Sequence, residues 1–442
     1  MRSNDSKHPV YRIGVFSTST RRRAWSAVFA VIALLAGGVA HGQNLERGQG
    51  VTDRRRPDYD APGLRLGSFL LYPAAEAHAA YDDNIFASDN GKEDDAVFTL
   101  APSLFLDSNW TQHAISIKVD SSSALYASHG NESRTDWGVA GAGRLDLFES
   151  SNITTSIGYR NLTEGRQSTN SLQNLAEPTE YDQFDASGAW NYSLNRISAS
   201  LGGGFTRLNY DDTPRRGSTT ADLDFRDRDI ARGVARLSYS FEGDDNAFVQ
   251  GGHSAFVQAV VSDRDYRKLA TTNPVKRDSF GYEIVAGWAS EISNLVAGEV
   301  YVGYLDRDYD SSTFDDVSDF TAGLDLEWYV TEIFTVRAKA SRGVPDSTVD
   351  DVGGILRSAV ALGFDWELMP NVLVHADVHY EKNNFKGSSR DDDWVGTGVG
   401  VKYLVNRYLH LDLEYGFDER ASDDSGFDFQ RNRVSFGFRL QR

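Results

Sequence analysis

The clearest pattern in the chain is an alternation of apolar and polar positions, which is best developed in residues 359–381. In the first arm of this stretch, every second position is apolar: Val360, Leu362, Phe364, Trp366 and Leu368. A second arm repeats the alternation after the Met-Pro-Asn turn at 369–371. Successive side chains of a strand point to opposite faces, so this period predicts a β-hairpin with one apolar face. Each arm is about ten residues long, which is the length that a tilted strand needs to cross a bilayer.

Similar segments recur from Gly67 onward, joined by connections of two kinds that alternate strictly. Short links, such as residues 243–245 and 405–406, alternate with longer links rich in Asp, Ser, Asn and Gly, such as residues 162–179 and 382–392. Outer-membrane barrels have this asymmetry, with tight periplasmic turns and larger extracellular loops. The sequence therefore predicts an all-β, antiparallel, up-and-down transmembrane β-barrel of about 18 strands, or 16 if a weak early pair does not form.

Aromatic residues occupy the apolar face shortly before several of the short links. These residues are Tyr192, Tyr239, Trp288, Trp328, Trp366 and Tyr403. An amphipathic ring is stable where lipid meets water, so the set predicts an aromatic girdle at one membrane interface. The last strand resembles the aromatic C-terminal strand that the barrel-assembly machinery recognises, but it departs from that pattern by ending in Gln441 and Arg442.

Composition excludes several functional classes. The chain has 442 residues, a net charge of −19 and no Cys. The acidic balance argues against a nucleic-acid partner, because phosphate binding needs a basic surface. The lack of Cys excludes disulfides and thiolate metal sites. The mean hydropathy of −0.44 would suggest a soluble protein, but the alternation of a membrane barrel averages its apolar signal away.

The N-terminal region predicts export. Three arginines at 21–23 precede an apolar run at 24–39, and the small-x-small tripeptides at 38–40 and 40–42 are alternative cleavage signals. The run is shorter than the ~20 residues of a spanning helix, so residues 1–40 are predicted to be a signal peptide. Residues 41–66 are polar and interrupted by prolines, and we expect a flexible, solvated periplasmic linker that includes Arg54, Arg55 and Arg56. Residues 67–442 form the predicted barrel.

The inward-facing positions of the predicted strands carry charges of both signs. The candidate lumen-lining residues are Arg232, Arg236, Arg337, Lys339, Asp365, Glu367, His375, Asp377, His379, Glu381, Asp412, Glu414 and Arg433. About eighteen strands enclose more space than side chains fill, so these groups are expected to line water and to select solutes by charge. Three glycines on the same face, Gly396, Gly398 and Gly400, are expected to leave room along one strand.

The first strands carry a more specific resemblance. The segments that carry it are Arg-Leu-Gly-Ser-Phe at 65–69, Tyr-Pro at 72–73, Tyr-Asp-Asp-Asn-Ile-Phe at 81–86, Ala-Pro-Ser-Leu at 101–104 and Asp-Ser-Asn-Trp at 107–110. They resemble the opening of the putative β-barrel porin 2 family, and the similarity covers nearly all of residues 65–442. The resemblance implies an outer-membrane barrel of Gram-negative bacteria, often encoded near surface-polysaccharide genes. It indicates the class of protein better than the solute.

These observations predict a porin-like channel for passive passage of hydrophilic solutes. One alternative is a dedicated conduit or accessory protein for exopolysaccharide export, and another is an occluded barrel acting as a surface adhesin or enzyme. His375, Asp377 and His379 share one face at a spacing that suits a metal or a general base, but no nucleophile or oxyanion motif accompanies them. We therefore predict no enzymatic activity, cofactor or metal.

The expected partners follow from the predicted location. They are outer-membrane lipid and lipopolysaccharide, the barrel-assembly machinery during biogenesis, and small hydrophilic solutes or saccharides. The sequence leaves two properties open, namely whether the lumen is plugged and whether the barrel is a monomer or a trimer.

Overall fold

The computed structural model describes residues 50–442 apart from positions 218, 242–251, 270–274, 293–294, 346, 348–351 and 425. The predicted signal peptide at residues 1–40, the start of the predicted linker and the predicted turn at residues 243–245 lie outside the described residues. Within the described part of the chain, no helix is long and apolar enough to cross a membrane.

Eighteen long antiparallel strands form the protein. Each extends over ten to sixteen residues, which is long enough to cross a bilayer at a tilt. In chain order they are β1 (Phe69–Asp82), β2 (Asp95–Ser108), β3 (Ala114–Tyr126), β4 (Arg134–Phe148), β5 (Ser151–Thr163), β6 (Glu180–Leu194), β7 (Ile197–Tyr210), β8 (Arg228–Ser240), β9 (His253–Tyr266), β10 (Ser279–Ile292), β11 (Val296–Tyr309), β12 (Val317–Thr331), β13 (Phe334–Gly343), β14 (Ile355–Met369), β15 (Val372–Phe385), β16 (Asp391–Asn406), β17 (Leu409–Ser422) and β18 (Phe429–Gln441).

The strands close into a barrel because the first strand pairs with the last. Each strand is hydrogen-bonded to its neighbour in sequence, and Ala79 in the middle of β1 lies opposite Phe98 of β2 on one side and Phe436 of β18 on the other. Closure removes the two free edges that an open sheet would have. The predicted architecture, a closed up-and-down barrel of 18 strands, is confirmed.

Connections at the two ends of the barrel differ in length, although less strictly than predicted. At one end, which we call the short-turn end, turns such as residues 332–333, 370–371 and 407–408 have two residues. The exception there is residues 241–252, whose stem is closed by a 2.9 Å hydrogen bond from the Phe241 N–H to the His253 carbonyl.

At the opposite end, which we call the long-loop end, the loops run up to the seventeen residues of 211–227. Residues 382–392, predicted to be a long link, are mostly strand and leave only residues 386–390 as a loop. The prediction was wrong there because polar residues continue the hydrogen-bonded ladder of β15 and β16 beyond the apolar band.

The two faces of the wall have opposite chemistry. Outward side chains are large, apolar and exposed, and the exposed fraction reaches 63% for Val302, 60% for Leu201 and 57% for Ile157. Inward positions are polar or small, as in β16, where Gly396, Gly398 and Gly400 follow one another. An apolar outer surface around a polar interior is the reverse of a soluble domain and fits a barrel surrounded by lipid.

This polarity predicts different outcomes for the same substitution on the two faces. Val302→Arg places a charge at the middle of the outward face of β11 and is expected to destabilise the barrel in a bilayer by about 2–4 kcal/mol. Ala140→Arg, on the inner face of β4 opposite Lys118, is the matched control and should change stability little. Urea titration in phosphatidylcholine vesicles measures both. Equal losses for the two variants would contradict the assignment of the faces.

Candidate functional site

The candidate lumen residues lie on the inner face of the wall. On β14, Val360 and Trp366 point outward with 50% and 42% of their surfaces exposed, whereas Asp365 between them points inward and is 3% exposed. The same alternation places the other candidates, from Arg232 on β8 to Arg433 on β18, on the inner face. The inner face of the barrel is therefore the site at which function is considered below.

Most charges on the inner face form ion pairs between neighbouring strands, rather than standing free in the lumen. These pairs are Arg236–Glu299 at 2.9 Å, Arg337–Asp365 at 2.6 Å, Lys339–Asp325 at 2.9 Å, Arg357–Glu381 at 3.1 Å and Arg439–Glu76 at 2.5 Å. Glu381 is 1% exposed and is thus a buried partner rather than a group facing water. Pairing along the wall cancels much of the transverse field that the sequence suggested.

The glycines of β16 are covered by side chains of β15. Three pairs face each other across the ladder: His375 with Gly400, Asp377 with Gly398, and His379 with Gly396. A Cβ atom added at any of these glycines would collide with the side chain opposite it. The expectation that these glycines leave open space was therefore wrong, because the register places a long side chain over each one.

The two histidines of β15 have further contacts along the wall. His375 approaches Glu414 with Nε2 3.8 Å from the carboxylate, and the His379 ring meets Trp394 edge-on at 5.9 Å between centroids. A group of three acidic or histidine residues able to share a metal ion occurs within the described residues at Asp212, Asp222 and Asp224, which lie on an outer loop. The histidines of β15 thus belong to the wall rather than to that group.

Three cations of the inner face differ from the rest. Arg232, Lys402 and Arg433 form no hydrogen bond or ion pair with another described residue. They lie on β8, β16 and β18, so they are spread around the wall. Together with the exposed Asp377, they are the charges most available to a passing solute.

At the long-loop end, two loops fold together over the lumen. Residues 164–179 and 211–227 are joined by the Ala176 N–H to Pro214 carbonyl bond (2.8 Å) and by two bonds from the Arg226 guanidinium to Glu164 (3.0 and 2.9 Å). Burial opposes the charge of Arg226, but the neighbouring Glu164 carboxylate outweighs burial and raises the pKa of the guanidinium. We call these two loops the loop cap.

The loop cap reaches toward the far wall. The Gln167 carbonyl accepts a 3.2 Å bond from Arg420 on β17, and its side-chain oxygen accepts a 3.4 Å bond from Arg431 on β18. Because residues 164–179 emerge between β5 and β6, these contacts carry the loop over the barrel opening. Sequence analysis missed this arrangement because a loop that folds inward has the same polar composition as one that projects into solvent.

At the short-turn end, residues 50–62 lie inside the lumen. Arg54 and Arg56 pair with Glu367 of β14 at 3.2 and 2.6 Å, and the Val51 N–H bonds to Thr335 of β13 at 3.0 Å. These residues were expected to be a solvated linker. The structure instead shows them against the inner face, because the arginine run finds a carboxylate there.

The predicted girdle residues lie on the outer face near the short-turn end. Their exposed fractions are 44% for Tyr239, 40% for Trp288, 49% for Trp328, 42% for Trp366 and 43% for Tyr403, and the Tyr192 ring stacks on Trp190 at 5.9 Å. Sequence analysis missed a second set of exposed tyrosines near the long-loop end: Tyr81, Tyr159, Tyr282, Tyr304, Tyr380 and Tyr415. Their distance from the long loops, which the sequence does show, would have revealed them.

The spacing between the two sets of aromatic residues is close to the thickness of an apolar bilayer band. On β10, Trp288 and Tyr282 are about 20 Å apart at ~3.3 Å per residue. The apolar band of an outer-membrane barrel is about 25 Å tall. Several hydroxyls of the second set reach polar groups beyond the band, such as Tyr81 to Asp94 at 3.0 Å and Tyr415 to Asn432 at 2.8 Å.

Comparison with protein families matches residues 56–442 to the family described as putative β-barrel porin 2. Comparison with curated proteins gives no match. Among solved structures, the siderophore receptor PirA from Acinetobacter baumannii is 6% identical with a TM-score of 0.47, covering 84% of this chain and 80% of that chain. OccK2 (OpdF) from Pseudomonas aeruginosa is 11% identical with a TM-score of 0.45, covering 84% and 98%.

Two cations on β13 provide a matched test of the wall pairs. Arg337→Ala removes the guanidinium beside Asp365, whose side chain is 4% exposed, and should lower the free energy of unfolding by about 3 kcal/mol. Lys339→Ala breaks a pair whose side chains are 62% and 60% exposed and should cost less than about 1 kcal/mol. Urea titration in detergent micelles compares them, and similar costs would show that burial does not distinguish the two pairs.

Proposed function

The chain belongs to the putative β-barrel porin 2 family, and from this premise we propose that it is an outer-membrane channel for passive diffusion of hydrophilic solutes. A barrel of 18 strands is wide enough to hold an aqueous lumen, whereas one of about eight is filled by its own side chains. The polar inner face supports water in the lumen, and the two sets of outer aromatic residues support a membrane location. The short-turn end would then face the periplasm, as in barrels of this class.

The observation that carries the proposal is the pairing of charges along the inner face. A wall whose arginines and acids are mostly bonded to each other presents many hydrogen-bonding groups but little unbalanced charge. Such a lumen favours neutral or zwitterionic polar solutes, including small saccharides, over strongly charged ones. The remaining charges, Arg232, Lys402, Arg433 and Asp377, are of both signs and would give weak ion selectivity.

An occluded barrel is the second candidate, and specific contacts favour it. The Gln167 bonds to β17 and β18 bring the loop cap over one opening, and the Arg54 and Arg56 pairs with Glu367 bring residues 50–62 into the other. If both elements stay in place, the protein would be a surface-binding barrel rather than a channel. An export conduit for a polysaccharide has only the family resemblance behind it.

Single-channel recording in planar bilayers separates these candidates. We expect stepwise currents with weak ion selectivity, and swelling of barrel-containing liposomes in neutral sugars. Silence from a demonstrably folded barrel, together with no swelling, would contradict the channel and favour the occluded barrel.

Neutralising single lumen charges should shift the selectivity in opposite directions. A unit charge about 10 Å from a passing ion in water contributes about 0.4 kcal/mol, which is roughly a twofold change in relative permeability. Asp377→Asn should therefore move the cation-to-anion permeability ratio toward anions, and Arg232→Gln should move it toward cations. Reversal potentials in a salt gradient measure both variants. Identical reversal potentials for the two variants and the unaltered protein would show that neither group faces the permeation path.

A further inference from the structure

Residues 50–62 cross the short-turn opening on the inner side of the wall. At one end, the Val51 N–H bonds to Thr335 of β13, and both residues are 1% exposed. Farther along, the Tyr59 carbonyl accepts 3.1 Å bonds from His410 of β17 and from Gln441 of β18. All three wall residues are on inward positions, so the segment runs within the lumen from one part of the wall to another. We call residues 50–62 the mouth segment.

The strongest attachment of the mouth segment is a shared carboxylate. Glu367 receives Arg56 at 2.6 Å and Arg54 at 3.2 Å, and the Arg56 and Glu367 side chains are 10% and 11% exposed. Arg56 also donates to the Val51 carbonyl at 2.7 Å, which ties the fold of the segment to the same ion pair. A buried charge that loses its partner is strongly destabilised, so the segment and the carboxylate depend on each other.

A short hinge joins the mouth segment to the wall. Leu64–Leu66 forms a three-residue strand that pairs with Phe69–Leu71 at the start of β1. It is flanked by Gly63 and Gly67, whose φ angles of +71° and +62° lie in the left-handed region that favours glycine. These two turns redirect the chain from the wall into the lumen.

We propose that the mouth segment is a gate held in the lumen by the pairing of Arg54 and Arg56 with Glu367. When the pair is intact, the segment narrows the short-turn opening. When the pair is lost, the segment turns about the residues from Gly63 to Gly67 and leaves the lumen. The conductance consequence rests on the proposed channel function, whereas the position of the segment is tested without it.

Thiol labelling tests the position of the segment. Because the chain has no Cys, Val51→Cys introduces a single thiol at a buried position whose backbone bond to Thr335 does not need the side chain. A hydrophilic maleimide should label it slowly. Adding Arg54→Ala and Arg56→Ala should accelerate labelling about tenfold or more, as expected from the loss of a buried charge pair.

Two controls separate the latch from a general loss of structure. Arg65→Ala removes an arginine of the same stretch that bonds only to the Gly67 carbonyl at 3.3 Å, and it should leave the labelling rate unchanged. Glu367→Arg should accelerate labelling, and adding Arg56→Glu to it should slow labelling again by restoring an opposite-charge pair. Unchanged labelling in both the Arg54→Ala/Arg56→Ala and Glu367→Arg variants would overturn the proposal, whatever the conductance.

Conductance tests whether the segment gates the lumen. In planar bilayers, the Arg54→Ala/Arg56→Ala protein should show a larger or longer-lived open level than the unaltered protein and than Arg65→Ala. Faster labelling with unchanged conductance in a conducting barrel would overturn the gate. Faster labelling with silence from every variant would support the latch while contradicting the proposed channel function.

Discussion

The constraint on which the rest of this structure depends is the closed ladder of backbone hydrogen bonds, completed where β18 pairs with β1. In lipid, a backbone group has no water to bond with, so a sheet can cross a membrane only without free edges. Closure sends one side of every strand to the lipid and the other to the interior. The alternation of Val360, Leu362 and Trp366 with Ala361, Gly363 and Asp365 follows directly from that geometry.

The same geometry explains why strands, parity and strand number could be predicted, whereas contacts across the interior could not. Alternation is local and is visible in a few residues. The pairing of His379 with Gly396 depends on the register of β15 against β16, which no short window of sequence contains. The bond from Arg56 to Glu367 joins positions 311 apart in the chain. Nothing in the polar composition of residues 41–66 distinguishes a segment that enters the barrel from one that stays in solution.

Charge pairing along the wall changes how the polar interior should be understood. Single inward acids such as Glu381 suggest a field across the lumen, but Arg357 on the adjacent strand already compensates that carboxylate. Lateral pairing stabilises neighbouring strands and leaves the lumen hydrophilic without a dominant sign. The net charge of the whole chain, −19, is therefore a poor guide to the solute, because much of it lies outside the permeation path on residues of the loops.

The loop cap and the mouth segment narrow the two openings in physically different ways. Each is held by arginine–carboxylate bonds, Arg226 to Glu164 in the cap and Arg56 to Glu367 in the segment. The cap loops are joined to wall strands at both of their ends, so loss of one ion pair leaves them anchored above the opening. The mouth segment precedes all eighteen strands and is joined to the wall only through its C-terminal side. Loss of its ion pair removes the main contact that opposes the entropy of a freely moving chain. Of the two elements, the mouth segment is therefore the one whose departure can open the lumen without disturbing the barrel.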